Sequence, residues 1–449
     1  MPMSLVLCLT LGTSGAPVQA QTSSPRTVVP DTPVPPAAVP PPYIDYSSKH
    51  FLVHTDLPRE EALALVERLE ATLGVVAVYW DRPSRRVIEC YVVHDLAQWP
   101  DSALPHPLAR ILVGGVGGGT IGTPEQNGGR TTLKAQVYAS TQPGIAEHET
   151  VHAYCTQAFG AAGPDWYKEG MAELAYYGRE RRDGVGCPQV VIDGLRQGQL
   201  RSLNDIVNRG RFTGALAKSV DDLLSRNERT EGAGTQVPLA LWTAEHGDVV
   251  KEARQAYHWS WALCHMLCHN PNYASRFRAL GRAYLTSHPS TFEQHFGAVA
   301  REISFEYRFF VKHIDVGYRV DLCAWDWKTR FREFDRHDAR SARVHANRGY
   351  QASGLLLSKG RRYRFRGTGQ WTTAPDRPAS SASGDAEGRG KLVGAVMHEH
   401  ELGDWFELGA EGQFTAAGDG KLYLRCEDAW NELADNEGAV TVRFERAVD

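Results

Sequence analysis

The chain has 449 residues, long enough for two or three domains. Hydrophobic residues make up 42% of it and charged residues 23%, the balance of a soluble globular protein rather than a disordered or membrane-embedded one. A formal net charge of -4 leaves no basic surface for nucleic acid, and none is expected as a partner.

Leu5 to Leu11 form an apolar run too short to span a bilayer, followed by small residues and by Val18-Gln19-Ala20, the pattern of a cleavage site. This predicts an export signal over residues 1–20 and a periplasmic, cell-surface or secreted protein, although no Lys or Arg precedes the run. Residues 21–42 end in Val39-Pro40-Pro41-Pro42 and read as an extended linker that builds no core. No later stretch reaches about 18 apolar residues, so no membrane span is expected. Beyond the signal lie Cys90, Cys155, Cys187, Cys264, Cys268, Cys323 and Cys426. Their odd number leaves at least one unpaired, a Cys155–Cys187 bridge stays open, and the absence of CxxC speaks against a cysteine-ligated zinc.

Ordered structure is expected from Tyr43. His50 to His54 reads as a strand, Glu60 to about Ala77 as a helix with Leu63, Leu65, Val66, Leu69 and Leu73 on one side, and Val87 to Val93 as a strand. Residues 111–128 are rich in glycine. They lack the Lys-Ser/Thr and following helix of a phosphate-binding loop, so a flexible loop or lid is predicted. Thr132 to Ala139 is expected as the edge strand of a small mixed sheet, free to pair with an extended peptide. From Ile145 to about Phe310 the pattern is mainly helical.

The chemistry lies in Ala146-Glu147-His148-Glu149-Thr150-Val151-His152-Ala153, which contains HExxH. Four residues apart on a helix, His148 and His152 share a face and can present ring nitrogens to one ion. Glu149, beside the first ligand, is placed to take a proton from a zinc-bound water, whose pKa falls from 15.7 to about 7. A catalytic zinc needs a third protein ligand and an open position. Glu169 supplies the ligand: sixteen residues separate it from His152, with a break at Gly160-Ala161-Ala162-Gly163-Pro164-Asp165 that lets a second helix fold back.

HExxH followed by Trp166-Tyr167-Lys168-Glu169-Gly170-Met171-Ala172, a W-x-x-E-G-x-A run, resembles the gluzincin zinc metallopeptidases, which include the membrane alanyl-type aminopeptidases and related secreted bacterial domains of unknown function. The resemblance covers roughly residues 145–177. It implies an α+β fold with a zincin-like catalytic domain, a small mixed sheet plus a helical subdomain, over residues 43–320. It further implies His148, His152 and Glu169 as zinc ligands, Glu149 as general base, and Glu173 as the acidic group that accepts a hydrogen bond from a zinc-bound histidine. The G-x-M-E-N motif that reads a free amino terminus in the aminopeptidases is absent, so an endopeptidase is expected. An oxyanion stabiliser is also required, and Tyr257 and His258 are the candidates.

Beyond about Asp321 short β runs take over: Arg362 to Arg366, Lys391 to Met397, Trp405 to Leu408, Lys421 to Arg425 and Val440 to Phe444. They predict a C-terminal β-sandwich over residues 321–449. Glu427-Asp428 and Asp435-Asn436-Glu437-Gly438 resemble the terminal loop of calcium-dependent galactose-binding bacterial lectins, with Glu427 where that family has Asn. The likeness implies Ca2+ and glycans as further ligands beside a peptide or protein substrate. The competing reading of the whole chain is a cell-surface adhesion or carbohydrate-binding protein with a vestigial peptidase fold.

Overall fold

The computed structural model describes residues 5–9, 42–127, 130–178, 184–209, 247–286, 288, 290–334 and 338–447. The fold is α+β, and the chain divides into two compact units, Met1–Ala162 with Arg211–Ala253, and Gly163–Gly210 with Arg254–Asp449.

The first unit is built on a six-stranded mixed sheet. Its strands are β1 (Leu5–Leu9), β2 (Ile44–Ser47), β3 (Phe51–Thr55), β4 (Ile88–Val93), β5 (Gly117–Asn127) and β6 (Arg130–Ser140), in the order β1-β5-β6-β4-β3-β2. β3, β4 and β6 run parallel, β5 and β6 form an antiparallel hairpin, and β1 pairs parallel with β5 from Gly117 to Ile121. Alternation sets the faces. Phe51 and Val53, Ile88, Cys90 and Val92, and Ala135, Val137 and Ala139 bury one side. Against that core lie α1 (Arg59–Trp80), through Leu65, Leu69, Leu73 and Val76, and α2 (Ile145–Phe159), the helix that carries HExxH.

Two expectations fail here. The glycine-rich segment is no loop from Gly117 onward but strand β5, packed against α2. Nor is 132–139 an edge: β6 sits between β5 and β4, and the outer positions belong to β1 and β2. Strand order is decided by long-range pairing, which the local pattern of one strand does not contain. Cys155 and Cys187 form no disulfide, and neither do Cys90, Cys264, Cys268, Cys323 and Cys426.

The second unit opens with α3 (Asp165–Gly178), α4 (Gln189–Gln197), α5 (Leu203–Arg209), α6 (Gly247–His269, which starts in the first unit's stretch), α7 (Ala274–Leu285) and α8 (Ala300–His313). Its second part is a sandwich of two antiparallel sheets. Strands β7 (Ala339–His345), β8 (Gln351–Leu357), β9 (Arg362–Thr372), β10 (Leu392–His398), β11 (Glu401–Leu402), β12 (Phe406–Glu407), β13 (Glu411–Thr415), β14 (Gly420–Cys426) and β15 (Glu437–Arg446) supply it. One sheet has the order β13-β9-β15-β7; the other runs β11-β10-β14-β8, with β12 on β10. Between them Leu355, Phe365, Leu392, Leu422, Val442 and Phe444 form an apolar core. β9 behaves as its alternation predicts, with Tyr363 and Phe365 buried and Arg362, Arg364 and Arg366 exposed. No helix among the described residues is long and apolar enough to cross a membrane.

Candidate metal centre

Every residue of α2 from Ile145 to Thr156 is buried, charged and polar side chains included. A buried charge is tolerated only with compensation. Glu147 has it in Arg68 of α1, whose Nε donates to Oε1 at 2.8 Å. Glu149, 0% exposed, accepts from the Thr120 hydroxyl of β5, 2.7 Å from its Oε2. His148 and His152 turn their Nε2 atoms toward each other at 3.0 Å. Two nitrogens bound at 2.0–2.1 Å to one tetrahedral ion would stand about 3.3 Å apart, so the pair is near the spacing that zinc demands.

Glu169 comes from α3. The chain reaches it through Gly160 and Gly163, both at positive φ (76° and 85°), a conformation glycine adopts without strain. Pro164 precedes the helix and its carbonyl accepts from the Tyr167 and Lys168 amides. Asp165 is the first residue of the helix, and its carboxylate pairs with Lys168 at 3.1 Å. Lys168 Nζ also lies 3.6 Å from Glu169 Oε1. Glu169 is fully buried. One ligand atom each from His148, His152 and Glu169 lie within 4.8 Å of one another, and this buried group is able to hold a metal ion. It is the one such group among the described residues.

Gly170 explains how α3 is held. A Cβ there would come within 2.5 Å of Cys264 Sγ and of the Ser260 carbonyl, so α6 crosses α3 at glycine contact. Cys264 Sγ donates to the Trp166 carbonyl at 3.8 Å, so the two helices run antiparallel, with Cys264 at the level of Trp166 and Ser260 at that of Gly170. Continuing one turn brings Tyr257, which is buried, to the level of Glu173. His258 lies instead against Gly194 of α4, where a Cβ would stand 2.9 Å from its Nδ1. Of the two oxyanion candidates only Tyr257 shares the α3 side of its helix. Glu173 is hydrogen-bonded to Tyr177, one turn on, and burial together with the Glu173 charge pushes that phenol well above its usual pKa. Thr120 is the side chain hydrogen-bonded to Glu149 that the sequence did not disclose; its one signature is the spacing of Gly118, Thr120 and Gly122 on a single strand face.

In the sandwich, Asp428 accepts from the Ala429 amide at 2.8 Å. Its Oδ2 is buried without a hydrogen-bond partner among the described residues. Asn436, 2% exposed, donates from Nδ2 to the Ala346 carbonyl at 3.2 Å, while its Oδ1 is likewise buried and unpartnered. Asp435 is exposed and Glu427 half-buried.

No protein-family model matches the chain, and no curated protein does. Among solved structures it is similar to the EclA N-terminal domain, a PllA-like lectin, at 19% identity and a TM-score of 0.21, over 24% of this chain and 96% of that one. It is also similar to the IMPa metallopeptidase, solved in complex with T-antigen, at 13% identity and a TM-score of 0.16, over 63% of this chain. Only 29% of the latter protein's length is matched.

Proposed function

We propose that the chain is an exported, zinc-dependent endopeptidase of the gluzincin type, its catalytic region over residues 43–320 followed by a lectin-like sandwich over 321–449. One observation carries the reading: two imidazole nitrogens and a carboxylate, all acceptors of protons or metal, converge within 4.8 Å in a buried place beside Glu149. Two His and one Glu are a donor set that suits catalytic zinc, with a fourth position left for water or substrate. When bound, the ion makes a water acidic enough to act near neutral pH and polarises the scissile carbonyl. Glu149 takes the proton from the attacking water and returns it to the leaving nitrogen. Tyr257 donates to the oxyanion, and Glu173 orients a ligand histidine.

The test is zinc content of the full chain by elemental analysis beside Glu169→Ala, with hydrolysis of an unfolded protein substrate followed in parallel. About one zinc per chain in the parent and none in the variant is expected. Glu149→Gln should keep its zinc and lose about 10²–10⁴-fold in turnover. A parent chain that takes up no zinc on reconstitution refutes the assignment.

A second reading, carbohydrate binding through the sandwich, is favoured by the unpartnered Asp428 Oδ2 and Asn436 Oδ1, two oxygens of the kind calcium takes. A glycan array with and without a calcium chelator decides it, and silence in both arms removes it.

A further inference from the structure

β5 carries glycine at 118, 119 and 122 around Thr120. With a side-chain period of two, Gly118, Thr120 and Gly122 look toward α2 together. A Cβ at Gly118 would overlap Ile145 Cγ2 and stand 3.1 Å from the Tyr138 carbonyl, and one at Gly122 would stand 3.1 Å from Thr156 Cγ2. The strand backbone therefore lies directly against side chains of the helix on both flanks of Thr120. That closeness lets so short a side chain reach the helix at all. Thr120, 1% exposed, places Oγ1 2.7 Å from Glu149 Oε2 and 3.0 Å from the Glu149 carbonyl.

We infer that Thr120 is a positioning residue for the general base, and that the glycines beside it exist to bring its hydroxyl to Glu149. The inference rests on the peptidase reading given above. A hydroxyl has one proton, and the nearer acceptor is the carboxylate. Its donation fixes Oε2 and leaves Oε1 as the oxygen that exchanges the proton with the attacking water. A β-branched side chain on a strand has few χ1 choices, so the donor is set before substrate arrives. Holding a catalytic group within narrow limits is worth more than its hydrogen bond alone, because a carboxylate that rotates away is no base.

The experiment compares Thr120→Val, which keeps shape and removes the donor, with Thr120→Ser, which keeps the donor. Zinc content, thermal midpoint, kcat and KM are measured on the full chain. The expected result for Thr120→Val is about one zinc per chain, kcat lower by about 10–100-fold and KM unchanged, with Thr120→Ser restoring most of kcat. Combined with Glu149→Gln, Thr120→Val should cost nothing further, because the group it positions is gone. A kcat that Thr120→Val leaves untouched while zinc is retained overturns the inference and spares the peptidase reading. A parent chain without zinc or hydrolysis overturns both. Where Thr120→Val fails to fold, Thr120→Cys, a weaker donor of similar size, takes its place under the same criterion: reduced kcat with zinc retained supports the role, and parental kcat overturns it.

Discussion

Two buried carboxylates, Glu169 and Glu306, sit among different neighbours. Glu306 on α8 is surrounded by donors. Asn270 Nδ2 reaches it at 2.6 Å, the Tyr273 hydroxyl and Trp327 Nε1 at 2.7 Å each, and the Trp325 amide at 3.3 Å. Four donors, from the turn after α6 to the linker before the sandwich, point at one carboxylate, and the group is complete as protein. Around Glu169 stand the imidazoles of His148 and His152, whose Nε2 atoms are 3.0 Å apart, and Lys168, whose Nζ is 3.6 Å from Glu169 Oε1. Two imidazoles and a carboxylate converging on one point suit a cation between them. Burial of charge alone therefore does not separate structure from function; the kind of neighbour does.

The difference is broken most severely by deleting each carboxylate. Glu169→Ala removes one of the three converging groups. Zinc content should fall from about one per chain to none, while the thermal midpoint of the metal-free protein stays level or rises. Glu306→Ala strands the Asn270, Tyr273 and Trp327 donors in a dry place, at a cost of about 1–3 kcal/mol for each buried donor left unsatisfied. Its zinc should be kept and its midpoint should drop. A metal-free Glu169→Ala that melts as far below the parent as Glu306→Ala would show that Glu169 supports the fold as much as Glu306 does, and the contrast would fail.

How much of this was legible follows the same line between local and distant. HExxH is a spacing of four on one helix, and the W-x-x-E-G-x-A run is about two turns of the next, so the buried group His148, His152 and Glu169 could be picked out from the chain alone. β9 was readable because Tyr363 and Phe365 alternate with arginines. β7 was not, since only Ala342 and Val344 of its seven residues are buried and the rest are polar or small. β5 misled: glycine carries no hydrophobic period, and its purpose is a contact with α2, a helix that starts 18 residues after β5 ends, between Asn127 and Ile145. The same distance hid Thr120. The interior place of β6 in the sheet depends on which strands pair with it, and no property of residues 132–139 records that.

Glycine contacts give effects of intermediate size and of both signs. Gly170→Ala pushes a methyl against the Ser260 carbonyl and Cys264 Sγ at 2.5 Å, and backbone cannot step aside. Gly118→Ala meets Ile145 and the Tyr138 carbonyl. Each should cost about 1–3 kcal/mol by overpacking, read as a lowered unfolding midpoint. Gly74, inside α1, has nothing within 4 Å of the point where a methyl would stand, so Gly74→Ala should raise stability by about 1 kcal/mol through helix propensity. Equal effects at the three positions would mean that the close approach of β5 and α3 to their helices is not what those glycines serve.

The smallest effect tests the donor-rich side of the comparison alone. Burial raises the pKa of Glu306, and its four hydrogen bonds, which pull the other way, do not fully offset this; the carboxyl titrates above its ordinary 4.5. A raised folded pKa means that the native state holds the proton more tightly than the unfolded chain. The stability tied to that proton is present in full below pH 4.5 and is lost as pH rises through the folded value. Glu306→Gln carries no titration. It should be less stable than the parent in acid, where its amide hydrogens meet donors, and the gap should narrow as the pH approaches neutrality. Unfolding midpoints of both proteins across that range read the slope. A gap that widens with pH would mean that the four donors outweigh burial and hold Glu306 ionised, which would make this site, like a metal centre, one that is completed by charge.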